Sequence, residues 1–438
     1  METVDSILLA GYVLTMDDSM KSIVNGAVAV KGERIVAVGS AGEIEEKYEA
    51  EHVIADDHAV IMPGLINTHT HAPMVYFRGM ADDMPLKEWL ENHIWPAERK
   101  WLGPEFVRDA AELACLEMVK AGVTTFNDMY FFGEASAESV HKVGMRAVLG
   151  AGILDFPSVV AKTTDEYFDR AEHLIRTFKD DPLVVPCIAP HAPYTCGPDI
   201  YRRTARLAEH YDVPVHTHLS ETKWEVNEIK KRYGKSPLEH LETTGILSKR
   251  LLAAHCVWLS DREIEILAHY GVYVSHCLES NLKLASGIAP VIKMLKAGLK
   301  VTFGTDGAAS NNDLDIMSEM STAAKLHKAE SGDPTALDAR TALLMATRWG
   351  AEALCLGDKL GILKEGYLAD MVMISLDKPH LTPLYDIYSH LVYSASASDV
   401  EYVMVNGRLI MDAGRTSICS EEEIIMKARS WAEKIKKG

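Results

Sequence analysis

His69 and His71, two residues apart in NTHTH, can hold a cation together if they lie on an extended strand, because a period of two turns both imidazoles to one side. An isolated pair of this kind is better explained by hydrogen-bonded packing. The chain offers more than one pair. His216 and His218 repeat the spacing in HTHLSET, with Glu221 just beyond. His218, nearer the end of its apolar run, is the better placed ligand, and His216 reads as a packing residue one layer below. His255, His276 and Asp306 close three further apolar runs. Polar groups at the same end of run after run would each need a separate buried partner, whereas one divalent cation satisfies several together. Neutral imidazoles with a carboxylate suit zinc, and by ligand type also iron or manganese. Such an ion lowers the pKa of water from about 15.7 towards about 7 to 9, which is the chemistry of hydrolysis at neutral pH. Asp306 can accept the proton that water gives up, whereas Glu221 by itself reads equally well as a solvated loop carboxylate.

For these side chains to meet, their runs must be strands with a common end. Eight runs alternate with longer helical patterns: IMPGLINTHTH, VTTFNDMY, MRAVLGAGIL, LVVPCIAPH, VPVHTHL, LLAAHCVWL, VYVSHCLE and KVTFGTDG. Eight βα units predict an α/β fold of the (β/α)8 TIM barrel type over residues 63–362, with its active site at the C-terminal ends of the strands. Residues 1–62 and 363–438 read instead as short alternating runs broken by Gly, Asp and Lys turns, an antiparallel sheet. The two ends therefore predict one composite β-sandwich side domain closed by both termini, with a charged terminal helix from about Glu421.

The chain has 438 residues, 47% hydrophobic and 25% charged, the composition of an ordinary folded globular protein. A formal charge of −18 gives no counterion-release term, which excludes nucleic acid and anionic membrane surfaces as partners and favours small neutral or zwitterionic substrates. The start lacks a cationic segment followed by an unbroken apolar stretch, so a cytoplasmic location is expected. Seven cysteines with no CxxC pair suggest buried, reduced thiols and no thiolate zinc site. A homo-oligomer is compatible with this composition.

With these motifs in view, PGLINTHTHAPM at 63–74, HLSET at 218–222, AAHC at 253–256, SHCLESNLKLASGIAP at 275–290 and GTDGAASNN at 304–312, nearly the whole chain resembles the amidohydrolase superfamily, in particular its methylthioadenosine/S-adenosylhomocysteine deaminases. The resemblance implies that His69, His71, His218 and Asp306 hold one divalent metal and that His255 hydrogen-bonds the water it carries. Glu221 would be the proton shuttle, protonating the ring nitrogen beside the attacked carbon and helping ammonia leave. It also implies that Trp89 lines a nucleoside pocket, that Glu98 binds the ribose hydroxyls, and that His191 and Ser310 contact the purine. Binuclear relatives bridge two metals with a carboxylated lysine on the fourth strand, and LVVPCIAPH has none, so a mononuclear site is expected. The alternative HxE and PCxxC zinc deaminase pattern is absent.

Two positions depart from the family pattern. Members that bind S-adenosylhomocysteine place arginine after the third strand, where this chain has Ala151; Arg146 lies earlier in the strand, Lys162 is the only cation in FPSVVAKTTDE, and no further arginine occurs before Arg170. Many relatives carry proline in place of Leu278. The expected activity is hydrolytic deamination of adenosine-type nucleosides with a small or absent 5′ substituent, namely methylthioadenosine, 5′-deoxyadenosine or adenosine. The rivals are a related hydrolase acting on guanine, a cytosine-like ring or an s-triazine, and a non-catalytic binding or scaffold protein on the same barrel. Such a scaffold has no reason to keep the ligands, Glu221 and Asp306 together.

Overall fold

The structure is a computed structural model describing residues 1–417 and 419–437. Two eight-stranded sheets organise it. The first is built from the chain ends: β1 (Glu2–Leu14), β2 (Ser22–Lys31), β3 (Arg34–Ser40) and β4 (Tyr48–Pro63). The second is the middle: β5 (Leu65–Thr70), β6 (Val123–Tyr130), β7 (Arg146–Ile153), β8 (Val184–Pro190), β9 (Val215–Leu219), β10 (Leu251–His255), β11 (Tyr273–His276) and β12 (Val301–Phe303). The chain then returns to the first sheet with β13 (Met371–Ser375), β14 (Val400–Val405), β15 (Arg408–Asp412) and β16 (Arg415–Thr416).

Each of the eight apolar runs is a strand of the second sheet. They pair in parallel and in chain order, with helices between them. Both faces of such strands are covered, which is why they read as nearly continuous β-branched and apolar stretches. The helices are punctuated as their sequences require. Ser236 and Ser260 form capping boxes with Glu239 and Glu263, and Gly144, Gly234, Gly271 and Gly332 end helices in the left-handed conformation. Between β12 and β5 the barrel closes through side chains. Thr68 Oγ1 lies 2.7 Å from both Ser275 Oγ and Thr302 Oγ1, Asn67 donates to Thr305 Oγ1 at 2.8 Å, and the Asp306 amide donates to the His69 carbonyl at 3.0 Å. Gly304 sits at this seam, where a Cβ would lie 2.6 Å from His69 Cβ.

The terminal sheet runs β16-β15-β14-β13-β4-β1-β2-β3. It curls over a core containing Leu8, Val28, Ile61, Met371 and Met404, so that the β14–β15 turn at Gly407 meets the β2–β3 turn at Gly32. One expectation needs correction here: the sheet is mixed, because β1 and β4 are parallel. The helix Ala41–Lys47, capped by Ser40 and Glu43, carries the chain back across and forces that direction. The terminal helix spans Glu421–Lys437. Among the described residues no helix is long and apolar enough to cross a membrane. All seven cysteines are free thiols, but Cys355 is exposed and Cys419 half-buried, unlike the buried set expected.

Candidate active site

At the C-terminal ends of the barrel strands lies a cavity of about 200 Å³ lined by His71, Trp89, Glu98, His191, His218, Glu221, His255 and Asp306 among others. His69 lies directly beneath, fully buried. Donor atoms of His69, His71 and His218 all fall within 4.8 Å of one another. Asp306 Oδ1 is 3.3 Å from Nε2 of both His69 and His71, and Nε2 of His71 is 3.2 Å from Nε2 of His218.

The outward nitrogens of these rings are already engaged. His71 Nδ1 donates to the Met129 carbonyl at 2.7 Å, and His218 Nδ1 to the His191 carbonyl at 2.7 Å. His69 Nδ1 lies 2.8 Å from His216 Nε2. A neutral imidazole that donates from Nδ1 presents a bare lone pair at Nε2, so lone pairs of His71 and His218 face each other at hydrogen-bond distance with no proton between them. His69 Nε2 is a buried polar atom without a hydrogen-bond partner among the described residues. Convergent lone pairs, a carboxylate oxygen and outer nitrogens held by carbonyls are the donor set and supporting shell of a divalent metal, and these residues fit one. Burial pushes His69 down to about 4. Burial alone would raise Asp306, yet the facing His69 ring and the surrounding imidazoles hold it well below the usual carboxylate range.

The backbone beneath these groups is strained where they emerge. Ser220, His255, Cys256 and Asp306 have φ of 51°, 70°, 51° and 62° at the ends of β9, β10 and β12. Non-glycine residues adopt the left-handed region sparingly, and such strain tends to concentrate at functional sites.

Several supporting residues lay beyond the sequence reading. Glu225, buried, accepts the Ser220 amide on Oε1 at 3.0 Å and the Glu221 amide on Oε2 at 2.9 Å, fixing the turn that carries Glu221. TKWE at 222–225 carries a capping-box signature, which would have marked Glu225 as a helix cap but not as this clamp. The short helix Leu278–Lys283 supplies two more: Asn281 Oδ1 accepts from His255 Nδ1 at 2.9 Å, and Ser280 donates to Asp306 Oδ2 at 2.7 Å. Leu278 keeps an amide that proline would lack, and buried Glu319 accepts it at 3.1 Å. His255 Nε2 is left facing Glu221 Oε2 at 3.8 Å. Burial raises Glu221 above the ordinary carboxylate range, opposed by His255.

Three histidine and serine placements differ from expectation. His216 is more than packing, since it holds the His69 ring and meets Asn127 Nδ2 at 3.0 Å on its other nitrogen. His276 does not join the cluster; its Nε2 lies 3.0 Å from Nε2 of buried His327 on the helix Ile316–Ser331. Ser310, expected against a purine, is not among the cavity-lining residues and donates to Asp306 Oδ2 at 2.8 Å. The short turn from Gly307 to Ser310 folds it back beneath the carboxylate.

In the same cavity lining, Trp89 is anchored by its Nε1 donating to the Ala81 carbonyl at 3.1 Å. Glu98 accepts from Tyr130 Oη at 2.8 Å, and burial pushes its carboxyl up to about 7. Ala151 lies in a small side cavity beside Arg170, Lys162 reaches the Ser158 carbonyl, and Arg146 is buried against Asp370 at the other end of the barrel.

Residues 60–410 match the family model described as amidohydrolase family, and residues 26–48 match an imidazolonepropionase-like composite domain. The 5-methylthioadenosine/S-adenosylhomocysteine deaminase of Thermodesulfovibrio yellowstonii is 52% identical over 98% of both chains. The 5′-deoxyadenosine deaminase of Methanosarcina acetivorans is 46% identical, again over 98% of both. A crystal structure of an adenosine deaminase from Xanthomonas campestris with bound zinc superposes over the full length of both chains with a TM-score of 0.98 at 41% identity.

Proposed function

The chain belongs to the amidohydrolase family, and from that premise we propose that it hydrolytically deaminates adenosine-type nucleosides, giving the inosine analogue and ammonia. One observation carries this reading: a single cavity is lined by the imidazole and carboxylate cluster and by Glu98 with Trp89. A carboxylate in an apolar recess suits a cis-diol, whose two hydroxyls supply the donors it lacks, and the tryptophan supplies an apolar face. That pairing favours a nucleoside over a bare guanine or triazine ring. The activities for which the relatives are named agree with it.

His69, His71, His218 and Asp306 would hold one divalent metal, and the histidine-rich donor set points to zinc, which is bound in the Xanthomonas campestris relative. When bound, such an ion lowers the pKa of water and makes hydroxide available at neutral pH. The protein's own groups manage the protons. Glu221, its burial favouring the protonated form, gives a proton to purine N1 and makes C6 electrophilic. Oxygen from water bonds to C6 while His255 Nε2 offers it a hydrogen-bond partner and Asp306 takes the released proton. Ionised Glu221 then carries the C6 hydroxyl proton to the amine, the C6–N bond breaks and ammonia leaves, the ring keeps the oxygen as the inosine-type lactam, and the proton held on Asp306 restores Glu221. Glu225 and Asn281 act by holding Glu221 and His255 in register for these transfers. The wall from Leu154 to Val159 is largely apolar, which favours methylthio and deoxy 5′ ends.

The test is a panel of methylthioadenosine, 5′-deoxyadenosine, adenosine, S-adenosylhomocysteine, guanine and an s-triazine, followed by ammonia release and loss of the adenine chromophore. The expected result is turnover of the nucleosides, with methylthioadenosine or 5′-deoxyadenosine ahead of S-adenosylhomocysteine. Turnover confined to the bare rings, or none with metal-replete protein, overturns the proposal.

A further inference from the structure

Glu98 is a carboxylate with an unusual lack of donors. It lies in the cavity among Trp95, Leu102, Met129 and Phe131, and its one hydrogen bond among the described residues comes from Tyr130 Oη at 2.8 Å. A carboxylate offers about four lone-pair sites, so most of this one's accepting capacity faces the cavity unmet. Tyr130 is itself buried, the last residue of β6, and its ring lies 6.4 Å from that of His71. Its hydroxyl stays protonated, because burial and the neighbouring Glu98 both raise it, and it therefore acts as a donor.

The same strand end also supports the catalytic wall. Met129, one residue earlier, gives its carbonyl to His71 Nδ1 at 2.7 Å. Consecutive residues of a strand thus fix two things at once: the ring orientation of a candidate metal ligand and the rotamer of the candidate sugar-binding carboxylate. Glu98, half-buried with its carboxyl turned into the cavity, comes from the helix Trp95–Trp101, which follows a π-turn at Leu90–Ile94 and has no fully buried residue. Without the tyrosine hydroxyl, the flexible glutamate side chain on this loosely packed helix has no partner to choose its rotamer, and the cost of fixing it falls on substrate binding.

We propose that Tyr130 is a positioning residue for sugar recognition: by holding one oxygen of Glu98 it aims the other at the ribose hydroxyls and sets their distance from the reacting C6. This rests on the reading of Glu98 as the acceptor for those hydroxyls. The Tyr130 hydroxyl is spent on Glu98, so its removal should act through substrates that carry the hydroxyls.

The experiment compares kcat/KM for adenosine and for 2′,3′-dideoxyadenosine in wild-type enzyme, Glu98→Gln and Tyr130→Phe. The dideoxy reaction in each protein serves as the internal control for folding and metal content. The wild type is expected to prefer adenosine, Glu98→Gln to lose most of that preference, and Tyr130→Phe to reduce the ratio about tenfold, chiefly through KM. A Tyr130→Phe ratio equal to wild type, while that of Glu98→Gln falls, overturns the role of Tyr130 and leaves Glu98 as the sugar acceptor. Equal losses on both nucleosides also overturn it, marking the hydroxyl as a fold element. An unchanged ratio in Glu98→Gln, or a wild type indifferent to the hydroxyls, overturns the ribose reading and this inference with it.

Discussion

Glu221 is buried, raised above the ordinary carboxylate range, and held by the backbone through Glu225, while its side chain receives a long 3.4 Å hydrogen bond from Ser286 and faces His255 Nε2 at 3.8 Å. A group fixed at its root and free at its tip is suited to moving a proton. Glu221→Gln should keep fold and metal content and lose roughly 10²- to 10⁴-fold in kcat; near-normal turnover with full metal content would assign the proton to another residue. Glu98 gives a pH prediction. Its carboxyl is pushed up to about 7 by burial, so in the free enzyme it is protonated below that pH and ionised above it. Hydroxyls bind an ionised acceptor through the stronger charge-assisted bonds. KM for adenosine should therefore rise as pH falls through about 7, whereas KM for 2′,3′-dideoxyadenosine should show no such limb; parallel profiles for the two count against it. At this scale the sequence displayed the groups that converge on the cavity, because a strand end and a motif place them there. It did not display the groups that converge on those groups. His216 and His218 share a strand face, and only the neighbouring strands decide that His216 meets His69. Glu225 and Ser310 act through loop geometry that no local spacing encodes.

The elements are joined at the opposite end of the barrel by an ion pair that carries no chemistry. Arg146, the first residue of β7, binds Asp370 through Nε at 2.8 Å and through an Nη at 3.1 Å, with both side chains 3% exposed. The same guanidinium reaches Asn406 Oδ1 at 3.1 Å, and Asp370 accepts the Asn406 amide at 2.7 Å. One buried network therefore fastens the barrel to the turn between β14 and β15. Removing one partner leaves an uncompensated buried charge, so Arg146→Ala should destabilise the protein by about 3 to 5 kcal/mol while the surviving folded molecules keep their kcat. Denaturant unfolding with activity per folded molecule measures both, and a change within experimental error would show that the network contributes little. The barrel strands were legible because each is a short apolar run ended by turn residues. The parallel pairing of β1 with β4 was not, since alternation specifies a half-buried strand but not its direction. The direction depends on the Ala41–Lys47 crossover, a helix of two turns too short for its period to stand out.

At the scale of the whole molecule, the candidate metal site and the barrel seam are the same place. β5 and β12 are the first and last strands of the barrel, and they meet mainly through side-chain hydroxyls and amides rather than a continuous ladder. His69 lies on β5 with His71 just past its end, and Asp306 follows β12, so the carboxylate oxygen 3.3 Å from both rings reaches across that seam. His218 adds β9 from the far side. A cation held by these four side chains would clamp the strands that close the barrel, and removing it would leave an anionic carboxylate and convergent lone pairs in a buried space. Anything that binds the folded state alone contributes RT ln(1 + [L]/Kd), about 4 kcal/mol at a thousandfold excess over Kd. Chelation should therefore lower Tm by roughly 4 to 5 °C, and one equivalent of divalent metal per chain should restore it. The location of the change is the sharper test. Hydrogen exchange should accelerate first at the Gly304 and Asp306 amides, which bond to the His276 and His69 carbonyls across neighbouring strands, while the β1–β2 hairpin on the far sheet keeps its protection. Gly304→Ala should mimic part of this effect even with metal present, because the added Cβ would stand 2.6 Å from His69 Cβ and must push the seam apart. Uniform acceleration over both sheets on chelation, or full recovery only with two equivalents of metal, would contradict a single ion acting as the closure of the barrel.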